Sequence, residues 1–585
     1  MRTDSALPMS RRRVYSDPVT GRTRLFALTA TLLIVAGIEG GALSFWDDTP
    51  DDVLIEQLLD EMTREELLGQ TLMLGWLGED PSGEIMRWLH TTNIGGAKVF
   101  GWNGLNLVRL ATAIGTMQRA ASEHRLGIPI LTATDQEGGW VRHVKGSGDL
   151  VTSVTPGNMA IGASGLPTDA FWSAYYIGME LRALGINMNL APTVDVYINP
   201  EAHVIGPRAF SSDAVQTGIL GTAFFHGLER TRVIATAKHF PGHGNASGDS
   251  HGMLPVLGDT IEELYARDLV PYRMLINEGV PAVLSGHLSF PDISGDGRPA
   301  SLSPYFKQQL LREDLGFQGL IVTDDLYMEG AWVYGARERW GIEQIVVEAL
   351  RAGNDMVMLS RTPDPGGTVW RALLSEYDRD PVFRQRIRDA AARVLAIKLR
   401  YLKPDDRVPL EPDVAAIRSY VASSDGAAFF RDQAARSVTI VADALLPIDT
   451  RSTGRTLLVG KDRDFLSIGT EFFPGAETLR IESPRFDIAS AADRARFRAA
   501  LSRYDTVIFC LSDPNTMQVL REAESADVNL IVLSILTPVY LFELPWIESA
   551  VAVYGWGVES FRAGFSAMTG RIGAGGRFPV VAPRR

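Results

Sequence analysis

From residue 70 onward the chain alternates short, continuous apolar runs with longer stretches whose apolar residues recur every three to four positions. The runs are "QTLMLGW" (70–76), "IGGAKVF" (94–100), "PILTATD" (129–135), "NMNLAPTVDV" (187–196), "VIATAKHF" (233–240), "PAVLSGH" (281–287), "GLIVTDD" (319–325) and "NDMVMLS" (354–360). Runs of this length, bounded by turn residues, read as strands buried on both faces, which is the habit of parallel sheets. Stretches such as "LVRLATAIGTMQRAASEH" and "IEQIVVEALRAG" between them read as amphipathic helices. Eight such alternations before residue 400 predict an α/β fold, a (β/α)8 TIM-type barrel. "MTREELLGQTLML" marks a helix start ahead of the first run, with Thr63 and Glu66 spaced as a capping box.

A last amphipathic stretch, "PVFRQRIRDAAARVLAIKLRYL", closes the barrel region, drawn as residues 47–402. The prolines and charges of "KPDDRVPLEPD" (403–413) read as a linker. Beyond it, "RTLLVG", "TVIFCLS", "NLIVLSI" and "AVAVYGWG" are four more buried-strand candidates, giving a smaller α/β sandwich domain over 414–585. That region holds no histidine and its acids are scattered, so no chemistry is assigned to it.

The pattern at the N-terminus is different. Arg11, Arg12, Arg13, Arg22 and Arg24 precede the apolar run Leu25 to Ile38. An arginine-rich flank before an apolar core shorter than the roughly 20 residues of a full membrane span is the signature of a targeting segment. Residues 1–46 are therefore expected to be a signal peptide or a membrane anchor, with residues 25–46 as the possible tether. The protein is expected to be exported: periplasmic, secreted or anchored outside the cytoplasmic membrane.

Composition narrows the function classes. A chain of 585 residues suits two domains. A formal net charge of −13 leaves no basic stripe for phosphates, which argues against a nucleic-acid partner. The one cysteine, Cys510, sits in the apolar run "DTVIFCLSD" and excludes both an intrachain disulfide and a cysteine-based metal site.

Candidate chemistry lies at the ends of the runs. Asp135, Asp195, Lys238 with His239, His287, and Asp324 with Asp325 all follow directly on apolar strands, where barrel enzymes place their sites. The loop "KHFPGHGNASGDSHGMLP" (238–255) gathers three of the nine histidines. A zinc site would want His239 and His243 on one helical face, but Pro241 and Gly242 forbid the helix. Asp249 and His251, two apart on a loop, suit a carboxylate orienting an imidazole. No metal and no organic cofactor is expected.

"AKHFPGHGNASGDSHGMLP" resembles the signature of glycoside hydrolase family 3, in its exo-β-N-acetylglucosaminidase branch. "DQEGGWVRH" (135–143), "RAFSSD" (208–213) and "VTDDLYMEGA" (322–331) agree with it in the same order, and "YGWGVESFRAGFSAMTGRIGAGGRFPV" is similar to the end of the family's second domain. The resemblance implies that Asp324 is the nucleophile of a retaining hydrolysis, forming a covalent glycosyl-enzyme, and that His251 is the general acid/base with Asp249 as its partner. It also implies that Asp135, Arg142, Arg208, Lys238 and His239 bind the sugar. The partner would be a carbohydrate: N-acetylglucosaminides, muropeptides or chitooligosaccharides.

A histidine suits this work because its unperturbed pKa lies near neutrality, so it can give a proton and later take one back. Of the adjacent acids, one is expected to face the barrel axis, since neighbouring strand residues point to opposite sides. Three departures from the family pattern bear on fine specificity: Trp140 where arginine is usual, Ser211 and Ala214 in the Arg208 loop, and Asn245 where aspartate is common. The rival readings are a phosphorylase with the same site, a β-glucosidase of the same family, a substrate-assisted mechanism, and a silent cell-wall-binding protein.

Overall fold

The computed structural model describes residues 43–483 and 490–581. The expected leader lies outside these residues up to position 42, and among the described residues no helix is long and apolar enough to cross a membrane. The folded body begins earlier than the sequence boundary at 46. Phe45 is fully buried in the main core, its N–H donates to Leu126 O, and the Trp46 indole donates to Gly127 O.

Eight parallel strands close a barrel. They are β1 (Leu72–Gly75), β2 (Gly96–Val99), β3 (Leu131–Thr134), β4 (Met188–Asn189), β5 (Ile234–Phe240), β6 (Ala282–Ser285), β7 (Leu320–Asp325) and β8 (Met356–Leu359). Each lies within one of the eight apolar runs. Only β4 is much shorter than its run. Pro192 interrupts it, since proline brings no N–H to a ladder, although Ala191 O and Pro192 O still accept from Thr236 and Lys238 of β5.

Side chains alternate along the strands. Met73, Ala133, Met188, Leu284, Val322 and Met356 fill the barrel, together with Tyr401 and Leu402 from the helix Pro381–Leu402. Leu74, Val99, Val283, Ile321 and Val357 face the surrounding helices. The predicted capping box is present: Thr63 Oγ1 accepts from Glu66 N, and Glu66 returns a carboxylate to Thr63 N.

The second sheet has six strands where four were predicted. They are β9 (Thr439–Asp443), β10 (Thr456–Gly460), β11 (Glu477–Arg480), β12 (Thr506–Leu511), β13 (Asn529–Ser534) and β14 (Ser549–Ala552), in the order β9-β14-β13-β12-β10-β11. β9 and β11, absent from the prediction, are the two edges. β11 (ETLR) is mostly exposed and polar, whereas β9 (TIVAD) is apolar at its centre but, pairing on one side only, has just Thr439 buried. Leu457, Val507 and Val532 pack on one face of the sheet, while Leu458, Ile508, Cys510 and Leu533 pack on the other.

The first of these faces shares a core with the barrel loops. Met159, Ala160, Tyr197, Ile205 and Ala209 join it, so the described residues from Leu43 onward form one compact unit. Arg208, one residue before Ala209, is thereby held from both sides.

Candidate active site

At the C-terminal ends of β2, β3 and β5, buried charges alternate in sign. Lys98, fully buried, lies 2.7 Å from Asp135 Oδ2, and Lys238 lies 2.5 Å from Asp135 Oδ1 and 2.6 Å from Glu137 Oε1. Arg208 donates through Nε and Nη2 to Glu137 at 2.9 and 2.8 Å, and through Nη2 to His239 Nε2 at 3.0 Å. A guanidinium only donates, so His239 Nε2 accepts and its proton resides on Nδ1, which donates to Asp195 Oδ2 at 2.7 Å. Each charge is neutralised by its neighbours. Burial pushes Glu137 up, but Arg208 and Lys238 more than reverse this and hold it at about 2. Burial likewise opposes ionisation of Asp135, and Lys238, Lys98 and His143 drive it well below the carboxylate range.

Asp135 retains some exposure, as a group that meets a ligand must. Asp324, at the end of β7, is partly exposed in the same mouth. Burial raises its pKa, but the imidazoles of His287, His239 and His251 outweigh that and keep it below its ordinary value. Asp325 is engaged differently. It accepts from Ser360 N at 2.9 Å and Tyr327 N at 3.2 Å, joining the ends of β7 and β8, and burial raises its pKa. Of the two adjacent acids, Asp324 is the one that the histidines hold below its ordinary pKa.

The glycine-rich loop after β5 carries Asp249 and His251. Asp249 Oδ1 accepts from His251 N at 2.9 Å and His251 Nδ1 at 2.7 Å, a two-point hold that fixes the ring and leaves Nε2 for another partner. The bond to Asp249 raises the His251 pKa, burial lowers it, and the Asp324 charge raises it further. Ser250 O accepts from Gly330 N at 2.9 Å, tying the loop to the segment after β7. Both side chains of the pair remain substantially exposed.

The third histidine of the loop has a structural position. His243 is buried, its N–H donates to Asp195 Oδ1 at 2.7 Å, and burial first of all lowers its imidazole to about 4. Among the described residues no group of three His, Cys, Asp or Glu side chains has a geometry that would hold a metal ion.

Asp135, Lys238, His239 and Arg208 therefore form one bonded cluster, with Asp324, His251 and Asp249 around the same mouth. Arg142 does not join them. Its Nη1 donates to Thr152 O and Ser153 O, both at 2.8 Å, on the far side of the hairpin. The next residue, His143, takes the place beside Asp135 and Lys98, at 3.6 and 3.5 Å. Alternation along an extended segment sends Arg142 and His143 to opposite sides, so His143 and not Arg142 stands beside Asp135. The sequence reading missed Lys98 and Glu137. The signal for Lys98 was a lysine inside an otherwise apolar strand, which burial permits only with a partner.

The departures have local explanations. Asn245 Nδ2 donates to both Asp259 oxygens, at 2.8 and 3.0 Å, where an aspartate would oppose them. Ser211 Oγ lies 2.8 Å from Pro579 O, and Ser212 N donates to the same carbonyl at 2.9 Å, so the chain end braces the Arg208 loop. Ala214 opens the helix Ala214–Glu229, capped by Asp213. Trp140 packs against an apolar face of the second sheet.

Residues 58–397, more than half of the chain, match the family described as Glycosyl hydrolase family 3 N terminal domain. The chain belongs to glycosyl hydrolase family 3. It is a glycoside hydrolase by that membership. It is 31% identical over 336 residues to a beta-hexosaminidase of Idiomarina loihiensis, covering 57% of this chain and 97% of that one. It is 27% identical over 565 residues to a beta-N-acetylglucosaminidase/beta-glucosidase of Cellulomonas fimi, covering 90% and 95%. It spans about half, 54%, of beta-hexosaminidase A of Pseudoalteromonas piscicida, at 33% identity. Among solved structures, a family 3 beta-N-acetylglucosaminidase of Paenibacillus superposes with a TM-score of 0.76 at 27% identity, over 89% of this chain and 99% of that one.

Proposed function

We propose that this family 3 hydrolase is a retaining exo-β-N-acetylglucosaminidase, removing terminal β-linked N-acetylglucosamine from peptidoglycan fragments or chitin-type oligosaccharides. One observation carries the reading: an ionised strand-end carboxylate, Asp324, shares its mouth with a protonatable imidazole, His251, that Asp249 grips by two bonds.

In the first step Asp324 attacks the anomeric carbon while His251 Nε2 gives its proton to the glycosidic oxygen, and the leaving group departs as an alcohol. Asp249 stabilises the imidazolium before transfer and fixes the tautomer after it. In the second step neutral His251 takes a proton from water, whose oxygen displaces Asp324 and releases the sugar with its configuration retained. Asp135 accepts from hydroxyls at the non-reducing end, held ionised by Lys98 and Lys238. The arginine-flanked apolar leader supports action outside the cytoplasm.

The test is hydrolysis of an aryl β-N-acetylglucosaminide and of the corresponding glucoside by the full chain and by Asp324→Ala. The expected result is turnover of the former substrate, lost by more than about a thousandfold in the variant. A parent silent on both substrates would sink the reading, and sugar 1-phosphate formed in phosphate buffer would replace hydrolysis with phosphorolysis.

A further inference from the structure

His287 ends one of the apolar runs, and the mechanism above gives it no task. It is fully buried two residues beyond β6, where the ladder to β7 has stopped at the pair Ser285 and Thr323. The ring continues that ladder with side-chain bonds: Nε2 lies 2.9 Å from Asp325 O, and Nδ1 lies 2.7 Å from Ser301 Oγ. A carbonyl only accepts, so the proton is on Nε2 and Nδ1 accepts from the serine hydroxyl. Burial lowers the imidazole pKa by more than Asp324 and the Asp325 carbonyl raise it, so at neutral pH the ring carries that single proton. Ser301 is held in turn, with its N–H on Gly286 O at 3.1 Å and its carbonyl accepting from Asn354 Nδ2 at 2.8 Å.

What this chain of bonds fixes is the residue next to the nucleophile. Asp325 N donates to Asp324 Oδ1 at 2.8 Å, while Asp324 Oδ2 accepts no hydrogen bond among the described residues. The rotation of the Asp324 carboxylate therefore follows the position of Asp325. The β7–β8 ladder does not set that position, because its register shifts between Val322 and Asp325. Asp325 is held instead by Ser360 N and Tyr327 N at its carboxylate, and by His287 Nε2 and Met328 N, both at 2.9 Å, at its carbonyl. His287 is the one of these four donors that comes from β6. The acid/base loop leans on the same residue: Gly330, whose N–H donates to Ser250 O, is packed so that a Cβ there would lie 2.7 Å from His287 Cβ.

We infer that His287 is a positioning residue for the nucleophile: protonated on Nε2 and steadied by Ser301, it holds Asp325 so that Asp324 Oδ2 stays open toward the anomeric carbon. This inference rests on the glycosidase reading above. It matters for rate because attack needs the reacting atoms aligned at near contact, and a misplacement of about 1 Å costs roughly 100-fold.

The experiment uses the shapes of two amides in the full chain. In His287→Gln the amide nitrogen reaches the place of Nε2, whereas in His287→Asn it stands at the place of Nδ1 and falls short of Asp325 O. Parent and variants are treated with a 5-fluoro-N-acetylglucosaminyl fluoride, whose fluoride leaves without a proton and whose ring fluorine slows release of the glycosyl-enzyme. The rate constant of the mass gain, read by intact-protein mass spectrometry, follows only molecules able to react and so is independent of any misfolded fraction. His287→Asn is expected to be labelled at least about tenfold more slowly than the parent, and His287→Gln within about threefold of it. KM for an aryl β-N-acetylglucosaminide is expected to stay within about twofold in both, and the alkaline limb of the pH–rate profile, set by His251, to stay in place. Labelling of His287→Asn at the parental rate would overturn the inference. So would a tenfold loss in His287→Gln, even if His287→Asn did not fold. A parent that gains no mass on Asp324 would instead overturn the glycosidase reading, and the inference with it.

Discussion

Arg208 and Glu137 form a buried two-point ion pair, with Nε and Nη2 at 2.9 and 2.8 Å from the two carboxylate oxygens. Both residues are buried, and Glu137 also neutralises Lys238. Removing one partner of such a set leaves the others charged and desolvated, which costs roughly 3–5 kcal/mol. Glu137→Gln is therefore expected to lower unfolding stability by about that much, measured by denaturant titration at pH 7. The Glu137 pKa lies below its ordinary 4.5, at about 2, so the stability it contributes is present above 4.5 and is lost as pH falls toward 2. The variant should lose that part of the acid dependence. An unchanged acid limb would contradict the assignment.

His251 owes its raised pKa first to Asp249. A general acid works only while protonated, so the alkaline limb of kcat/KM should lie above the ordinary histidine value. Asp249→Asn is expected to move that limb to lower pH and leave the acid limb, set by Asp324, in place. A pH–rate profile of both proteins decides it, and coincident alkaline limbs would remove Asp249 from its role.

The need for a proton donor depends on the leaving group. His251→Ala is expected to cut kcat by roughly 100-fold or more on a chitin-type disaccharide, whose alkoxide is a poor leaving group. The loss should be smaller on a nitrophenyl glycoside. Equal losses on both substrates would assign His251 a binding task instead.

His243 is buried neutral, with its imidazole held near 4 against an ordinary 6.5. The unfolded chain takes up a proton that the folded chain refuses between those values, so stability falls as pH drops from 6.5 toward 4. At about 1.4 kcal/mol per pH unit the effect amounts to roughly 3 kcal/mol. His243→Asn should flatten the stability profile over that interval, as followed by melting temperature against pH.

The chain end braces the Arg208 loop through Pro579 O, and Val581 N donates to Ser212 Oγ at 3.0 Å. Ending the chain after Gly576 removes these bonds. On the proposed mechanism, the expected effect is a severalfold rise in KM with a smaller change in kcat, since Arg208 orients His239 in the cluster proposed to bind the sugar and not in the proposed proton-transfer pair. A fall in kcat at constant KM would contradict this.

Much of this protein was legible in its sequence because the relevant signals are local. Eight runs such as "GLIVTDD" announce strands buried on both faces, and a buried strand has to be apolar along its length. Thr63 and Glu66 meet because a capping box spans a single helical turn. Asp249 can reach His251 because two residues of loop allow it. What sequence left open depends on long-range geometry. Arg142 and His143 are neighbours, and which one faces Asp135 is set by the register of a hairpin across the barrel mouth. Glu137 gains its meaning from Arg208 and Lys238, which lie far along the chain, and Lys98 is tolerable inside a strand only because Asp135 arrives beside it. The edge strand β11 carries no apolar run because most of its residues face water, and only pairing in the sheet makes it a strand. Sequence determined which segments would be buried and which chemical groups were available. The closed barrel decided which of those groups touch, because charge pairing in a dry interior is a property of contacts and not of order along the chain.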